Sequence, residues 1–166
     1  MGVSGSGKST LAKALADIYG YELLDGDDFH SDESRALMAQ AIPLTDEQRT
    51  PWVAAIKHHL ETNAKQHIHV VLAFSGLKQK HRDELRAAGL RTLVLYLKGN
   101  KETIQDRINN RQGHFMAPAL LDSQFASMED PSNEADVHLI DVWPTIAQVV
   151  KQACDIVDAQ LKPLEK

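Results

Sequence analysis

The chain has 166 residues, 43% of them hydrophobic, and sets 18 Lys and Arg against 23 Asp and Glu for a net charge of −5. That length and apolar fraction suit one folded domain with a real core and argue against disorder. A single cysteine, no apolar run of membrane length and a mildly acidic balance exclude an internal disulfide, a Cys-based zinc site, a membrane-spanning helix and nucleic acid as the main partner; a reducing, cytoplasmic setting is the expectation.

In chain order, a glycine-rich run leads into an amphipathic helix carrying Leu11, Leu15 and Ile18 and ending at Gly20. Tyr21 to Leu24 reads as a short strand running into the acidic stretch Asp25-Gly26-Asp27-Asp28. Thr45 and Gln48 have the spacing of a capping box and open a helix to about Asn63. Ile68 to Phe74 is a continuous apolar run of buried-strand type. A helix over Lys78 to Ala88, closed by Gly89, precedes a strand over Thr92 to Leu97. Asn100 can cap a helix bearing Ile104 and Ile108, and a further helix spans about Pro118 to Met128. Val137 to Ile140 is the last strand, and Ile146, Val149, Val150, Ala153 and Val157 mark the final amphipathic helix. No repeat or linker interrupts the series, so residues 1–166 are expected to form one domain. Strand–helix alternation with apolar strands implies an α/β fold with a parallel sheet covered on both faces, and ligands beyond the carboxyl ends of its strands.

Gly2-Val3-Ser4-Gly5-Ser6-Gly7-Lys8-Ser9 satisfies the phosphate-loop pattern G-x-x-x-x-G-K-[ST], and an amphipathic helix starts where the pattern requires one. The glycines let backbone amides wrap a phosphate at a helix N-terminus, where the macrodipole favours an anion. Lys8 would bridge the β- and γ-phosphates of ATP, and Ser9 would ligate Mg²⁺, with Thr10 counted in the same nucleotide site. GTPase motifs such as N-K-x-D are absent, and the strand at Ile68 to Phe74 ends in Phe74-Ser75 without the usual aspartate. A metal-organising carboxylate must then come from Asp25, Asp27 or Asp28: one can orient Mg²⁺-bound water while another accepts the proton of an attacking hydroxyl. Lys78 and Arg82 lie four apart on one helical face just after a strand and could bind either an acceptor carboxylate or the transferred phosphate.

DGDDFH (25–30), PLTDEQRTPW (43–52), SGLKQKHRDELR (75–86) and RQGHFMAPALLDSQFASMEDP (111–131) together closely resemble the gluconokinase family of small ATP-dependent kinases, related in fold to shikimate and adenylate kinases. The resemblance covers nearly the whole chain. It implies transfer of the ATP γ-phosphate to the 6-hydroxyl of D-gluconate, a three-layer P-loop kinase fold like that of nucleoside-monophosphate kinases with a five-stranded parallel sheet, a small mobile lid over about 111–117, and often a homodimer. It makes Asp27 the candidate catalytic base and Asp25 the metal-side carboxylate, with the two exchangeable. It places Arg49 as a cation for the gluconate carboxylate, Arg107 and Arg111 as arginines that cover the adenine and clamp the phosphates, and His30 and His114 near ligand.

The chain departs from the family pattern where proline, asparagine, lysine-methionine and glycine are usual: it has Ser31, Ser34, Leu37-Met38 and Ala41, and His81 stands in place of a tyrosine. A cation and an amide are thereby absent from the expected substrate-facing helix. Alternative readings are a kinase for another sugar acid or a shikimate-like acceptor, or a nucleotide-binding module without catalysis. Among the eight histidines, His58, His59, His67 and His69 are expected to be structural or solvated. Cys154 reads as a small core residue, and Trp52 and Trp143 as packing anchors. Only Met1, Gly2 and Val3 are available to the strand that should precede a phosphate loop, so the first strand is expected to be cut short.

Overall fold

Four short strands carry the architecture in the computed structural model, which describes residues 1–110 and 118–161. They are β1 (Glu22–Asp25), β2 (Val70–Ala73), β3 (Val94–Lys98) and β4 (Val137–Asp141). β1 runs parallel to β2, from Glu22 opposite Val70 to Asp25 opposite Ala73. β3 runs parallel to β4, from Val94 opposite Val137 to Lys98 opposite Asp141. The expected single five-stranded sheet is therefore resolved as two pairs. Met1 and Gly2 lie between the pairs and bridge them by isolated hydrogen bonds rather than by a strand ladder. The Met1 amine donates to the Leu95 carbonyl at 2.6 Å, Leu97 N–H donates to the Met1 carbonyl at 2.9 Å, and Gly2 N–H donates to the Ser75 carbonyl at 3.1 Å. Burial lowers the pKa of the Met1 amine to about 5.

The helices are α1 (Lys8–Tyr19), α2 (Asp32–Ala39), α3 (Asp46–Lys65), α4 (Gln79–Arg86), α5 (Lys101–Asn109), α6 (Pro118–Ser127) and α7 (Ile146–Leu161), with a 3₁₀ turn at Gly26–Phe29. Local chemistry sets several of their ends. Gly20 closes α1 in the left-handed region, its N–H donating to the Ala16 carbonyl. Thr45 and Gln48 form the expected capping box of α3, Thr45 N–H donating to Gln48 Oε1 at 2.9 Å and Gln48 N–H to Thr45 Oγ1 at 3.3 Å. Asn100 caps α5 by accepting from Thr103 N–H. α4 starts one residue later than expected, because Lys78 is extended and serves as its N-cap.

Two buried clusters fill the interior. The first packs Leu11 and Leu15 of α1 against Leu97, Ile104, Leu121, Ile140 and Val149. The second gathers Trp52, Val53, Ile56 and Leu60 of α3 around Leu24 and Phe74. Cys154 packs against the first cluster, as a small core residue should. Trp143 does not anchor anything: it is 73% exposed. His67 and His69 are exposed, and His59 faces Glu22 at 3.1 Å. Among the described residues no helix is long and apolar enough to cross a membrane.

Candidate active site

The phosphate loop turns at glycines for two distinct reasons. Gly7 has a φ of 99°, with open space where a Cβ would sit, so only backbone conformation demands glycine there. Gly5 has a φ of 78°, and a Cβ would come within 2.6 Å of the Ile108 side chain, so α5 packs directly on the loop. Gly7 precedes α1 without a side-chain cap, leaving the helix's leading amides facing the loop. Lys8 Nζ donates to the Val3 carbonyl at 3.0 Å, which holds the ammonium against the loop's own backbone. Ser4 N–H donates to Gln124 Oε1 at 2.7 Å, so α6 braces the loop from outside. Ser6 is buried at 2% exposure, while Thr10 is exposed on the first turn of α1.

Across from the loop, β1 delivers its last residue to the site. Ser9 Oγ donates to Asp25 Oδ2 at 2.9 Å. The other Asp25 oxygen accepts Asp27 N–H at 3.0 Å and thereby caps the 3₁₀ turn. A Cβ on Gly26 would lie 2.9 Å from the Ala73 carbonyl, so the turn rests on the end of β2. Asp27 projects outward with its side chain 85% exposed. Ser9 and Asp25 thus place two hard oxygen donors together beside the loop, a donor set suited to Mg²⁺, which commonly binds through one or two protein oxygens plus phosphates and water. The described residues hold no group of three or more His, Cys, Asp or Glu of metal-binding type.

Beneath Asp27 lies His30, whose side chain is only 5% exposed. Its ring stacks on Trp52 with centroids 4.2 Å apart and planes inclined by 17°, and Trp52 Nε1–H donates to the Gly26 carbonyl at 2.6 Å. His30 is therefore covered, not presented openly to a ligand. Burial holds its pKa below the usual imidazole value, outweighing the nearby Asp27 carboxylate, with Arg35 and Arg49 lowering it further.

The expected acceptor cations divide. Arg49 Nη1 lies 3.4 Å from Asp46 Oδ1, and Lys80 Nζ approaches the other Asp46 oxygen at 2.9 Å. The Lys80 hydrogen bond, with Lys78 and Arg49 nearby, holds the Asp46 carboxyl below its ordinary pKa. Lys78 Nζ is 3.5 Å from Glu129 Oε1, while Glu129 Oε2 accepts Gln79 N–H at the start of α4. Arg49, Lys78 and Lys80 thus collect where the first turns of α3 and α4 meet. Arg82 is not among them. Its side chain is 3% exposed, its Nε lies 3.1 Å from each Glu134 carboxylate oxygen, and its Nη1 donates to the Gly76 carbonyl at 2.6 Å. The expectation of a substrate-facing Arg82 gives way to a buried structural pair. Arg107 points toward the end of β4, where its guanidinium donates to the Val142 carbonyl. A separate concavity of about 590 Å³ opens beside that carbonyl, between Asn100, Thr103, Leu139 and Trp143; none of the expected site residues lines it. Arg111 and His114 lie outside the described residues, as does the expected lid at 111–117.

Sequence reasoning missed Gln124, Asp46 and Glu134. Gln124 sits inside LLDSQF, but helical spacing gives no sign that it reaches a loop 120 residues earlier. Trp52 was expected to pack, and it does; its support of the acidic turn was the part not visible.

Parallel α/β pairs, a glycine loop opening α1 and an acidic turn at the end of β1 define a P-loop kinase. Residues 1–131 match the family model described as an AAA domain. A gluconokinase from Sinorhizobium meliloti 1021 superposes with a TM-score of 0.84 at 39% identity, over 92% of this chain and 86% of that one. A sugar kinase from Janibacter sp. HTCC2649 superposes with a TM-score of 0.90 at 37% identity, over 95% of this chain and 91% of that one. The thermosensitive gluconokinase of Escherichia coli (strain K12) is 39% identical over 153 residues, spanning 92% of this chain and 82% of that protein. The chain belongs to the gluconokinase family.

Proposed function

We propose that this kinase transfers the γ-phosphoryl group of ATP to the 6-hydroxyl of D-gluconate, giving 6-phosphogluconate. The observation that carries the reading is the junction of Ser9 with Asp25 at 2.9 Å, with Asp27 on the same turn, in a chain of this family. In this reading the loop from Gly2 to Ser9 and Thr10 hold the nucleotide, and Lys8 bridges its β- and γ-phosphates. Ser9 and Asp25 hold Mg²⁺, which when bound neutralises charge on the phosphates. Asp27 orients the acceptor hydroxyl and takes its proton as the hydroxyl oxygen attacks the γ-phosphorus and ADP leaves. Arg49 and Lys78 face the acceptor carboxylate, and Arg107, Arg111 and His114 keep the nucleotide-clamping and ligand-contact roles the family resemblance implies. Residues 1–166 act as one domain, with the two strand pairs and the Met1–Gly2 bridge joined in one five-stranded sheet and 111–117 serving as the lid.

The acceptor end favours one competing reading, a different sugar acid. At the start of α2, the N-cap Ser31 and the buried Ser34 are hydrogen-bonded to each other at 3.1 Å where the family pattern expects proline and asparagine, and Leu37 stands where it expects lysine. ADP release measured with gluconate, other aldonates and shikimate separates the two. Gluconate is expected to give the highest kcat/KM. Gluconate turnover no faster than ATP hydrolysis in water alone would overturn the proposal.

A further inference from the structure

We infer that His30, seated on Trp52, is a positioning residue that fixes the Asp27 carboxylate; this rests on the reading of Asp27 given above. Asp27 carries a poorly constrained side chain, 85% exposed, on a short turn. Its backbone is held through Asp25, but among the described residues its carboxylate has one charged-group neighbour, His30 Nε2, 3.9 Å from Oδ1. That distance is longer than a hydrogen bond, and such contacts commonly tighten when substrate is bound. Rotation of the exposed carboxylate would close the gap, because the imidazole itself cannot move far.

The imidazole stacks on Trp52, Trp52 is in turn tied to the Gly26 carbonyl of the same turn, and Arg35 Nε donates to the His30 carbonyl at 3.2 Å, which holds the backbone beneath the ring. The ring's orientation also selects its tautomer. Nδ1 is buried with no hydrogen-bond partner among the described residues, whereas Nε2 faces a carboxylate, so the proton belongs on Nε2. A buried, neutral, rigid N–H donor aimed at an exposed carboxylate holds one oxygen and leaves the other to face the acceptor hydroxyl. The imidazole acts through Asp27 and need not touch the substrate.

A double-mutant cycle tests this. His30→Ala is expected to lower kcat by about 10- to 100-fold with the KM for ATP changed by about twofold or less, and Asp27→Asn by about 100-fold or more. If His30 acts only through Asp27, the double variant matches Asp27→Asn alone; multiplying losses would overturn the inference. Glutamine can put an amide N–H near the position of Nε2 and asparagine cannot. His30→Gln should therefore keep kcat within about threefold of the parent while His30→Asn falls at least about tenfold, and equal losses in the two would overturn it. This second comparison, made at matched ATP-dependent thermal shift, decides the matter if His30→Ala folds poorly. Full activity in Asp27→Asn alone would overturn the reading of Asp27, and is distinguishable from additivity within the cycle.

Discussion

Ser9 Oγ and Asp25 Oδ2, 2.9 Å apart, join the first turn of α1 to the carboxyl end of β1. β2, which leads into Phe74-Ser75, offers no carboxylate at its tip, and β1 supplies one from the neighbouring position. Asp25 also caps the turn that carries Asp27, so one carboxylate links the phosphate loop, through Ser9, to the turn on which Asp27 sits.

Asp25→Asn keeps the shape and the ability to accept from Asp27 N–H but removes the charge. Its kcat with ATP should fall by about 100-fold, and the Mg²⁺ concentration for half-maximal rate should rise by about tenfold. A Mg²⁺ titration of ADP release checks both; removal of Mg²⁺ by EDTA should abolish turnover in the parent protein.

Arg82 and Glu134 give a prediction about stability. Glu134→Ala leaves a buried guanidinium without its carboxylate and should cost about 3 kcal/mol, read as a lower urea midpoint at unchanged slope. Glu134 also pairs with Arg86 at 2.6 Å, and Arg86 keeps Asp136 at 2.7 Å, so Arg82→Met combined with Glu134→Leu should recover part of that loss by replacing the buried guanidinium with an apolar side chain.

The contrast between Lys78 and Arg82 shows how much of the site was legible in the residues alone. Caps and turns are local, so Gly20, Thr45 with Gln48, and Asn100 could be read directly, and the phosphate loop carried its own geometry. Spacing also placed Lys78 and Arg82 near one another. It could not show that Glu134, 52 residues on, claims Arg82, or that Lys78 leaves the helix to become its cap. α2 left no apolar periodicity to read, because its eight residues bury only Ser34. Gln124 and Trp52 act through contacts that only the folded chain creates.

Ala41 sits at a φ of 59°, a conformation that disfavours a Cβ, at the place where the family resemblance implies glycine. Ala41→Gly should stabilise the protein by about 0.5–1 kcal/mol, the relief of strain exceeding the added freedom of the unfolded chain. Chemical denaturation of the single variant measures it directly.

His81 predicts a pH dependence. It is buried, its Nε2 has no hydrogen-bond partner among the described residues, and burial, aided by Lys80 and Arg49 and opposed by Asp46 and Glu84, holds its pKa below 6.5. Below 6.5 the unfolded chain takes up a proton that the folded chain refuses, so stability is full above that value and declines as pH falls toward the depressed pKa. His30 is lowered in the same direction by its own burial and adds to the effect. The urea midpoint should drop between pH 7.5 and pH 5.5, and His81→Tyr, the residue the family resemblance implies at this place, should flatten that slope.

The Met1–Gly2 bridge makes the phosphate loop the fastener of a seam. The second buried cluster lies around β1–β2 with α3, the first around β3–β4 with α5 and α7 but also with α1 and Val71 of β2, and beside that packing three backbone hydrogen bonds at Met1 and Gly2 join the strand pairs. Those residues lead straight into the loop that grips the nucleotide. Occupancy of the loop therefore adds to the coupling between the strand pairs: amide exchange at Gly2 and Leu97 should slow as ATP is added, before exchange deep in either cluster responds.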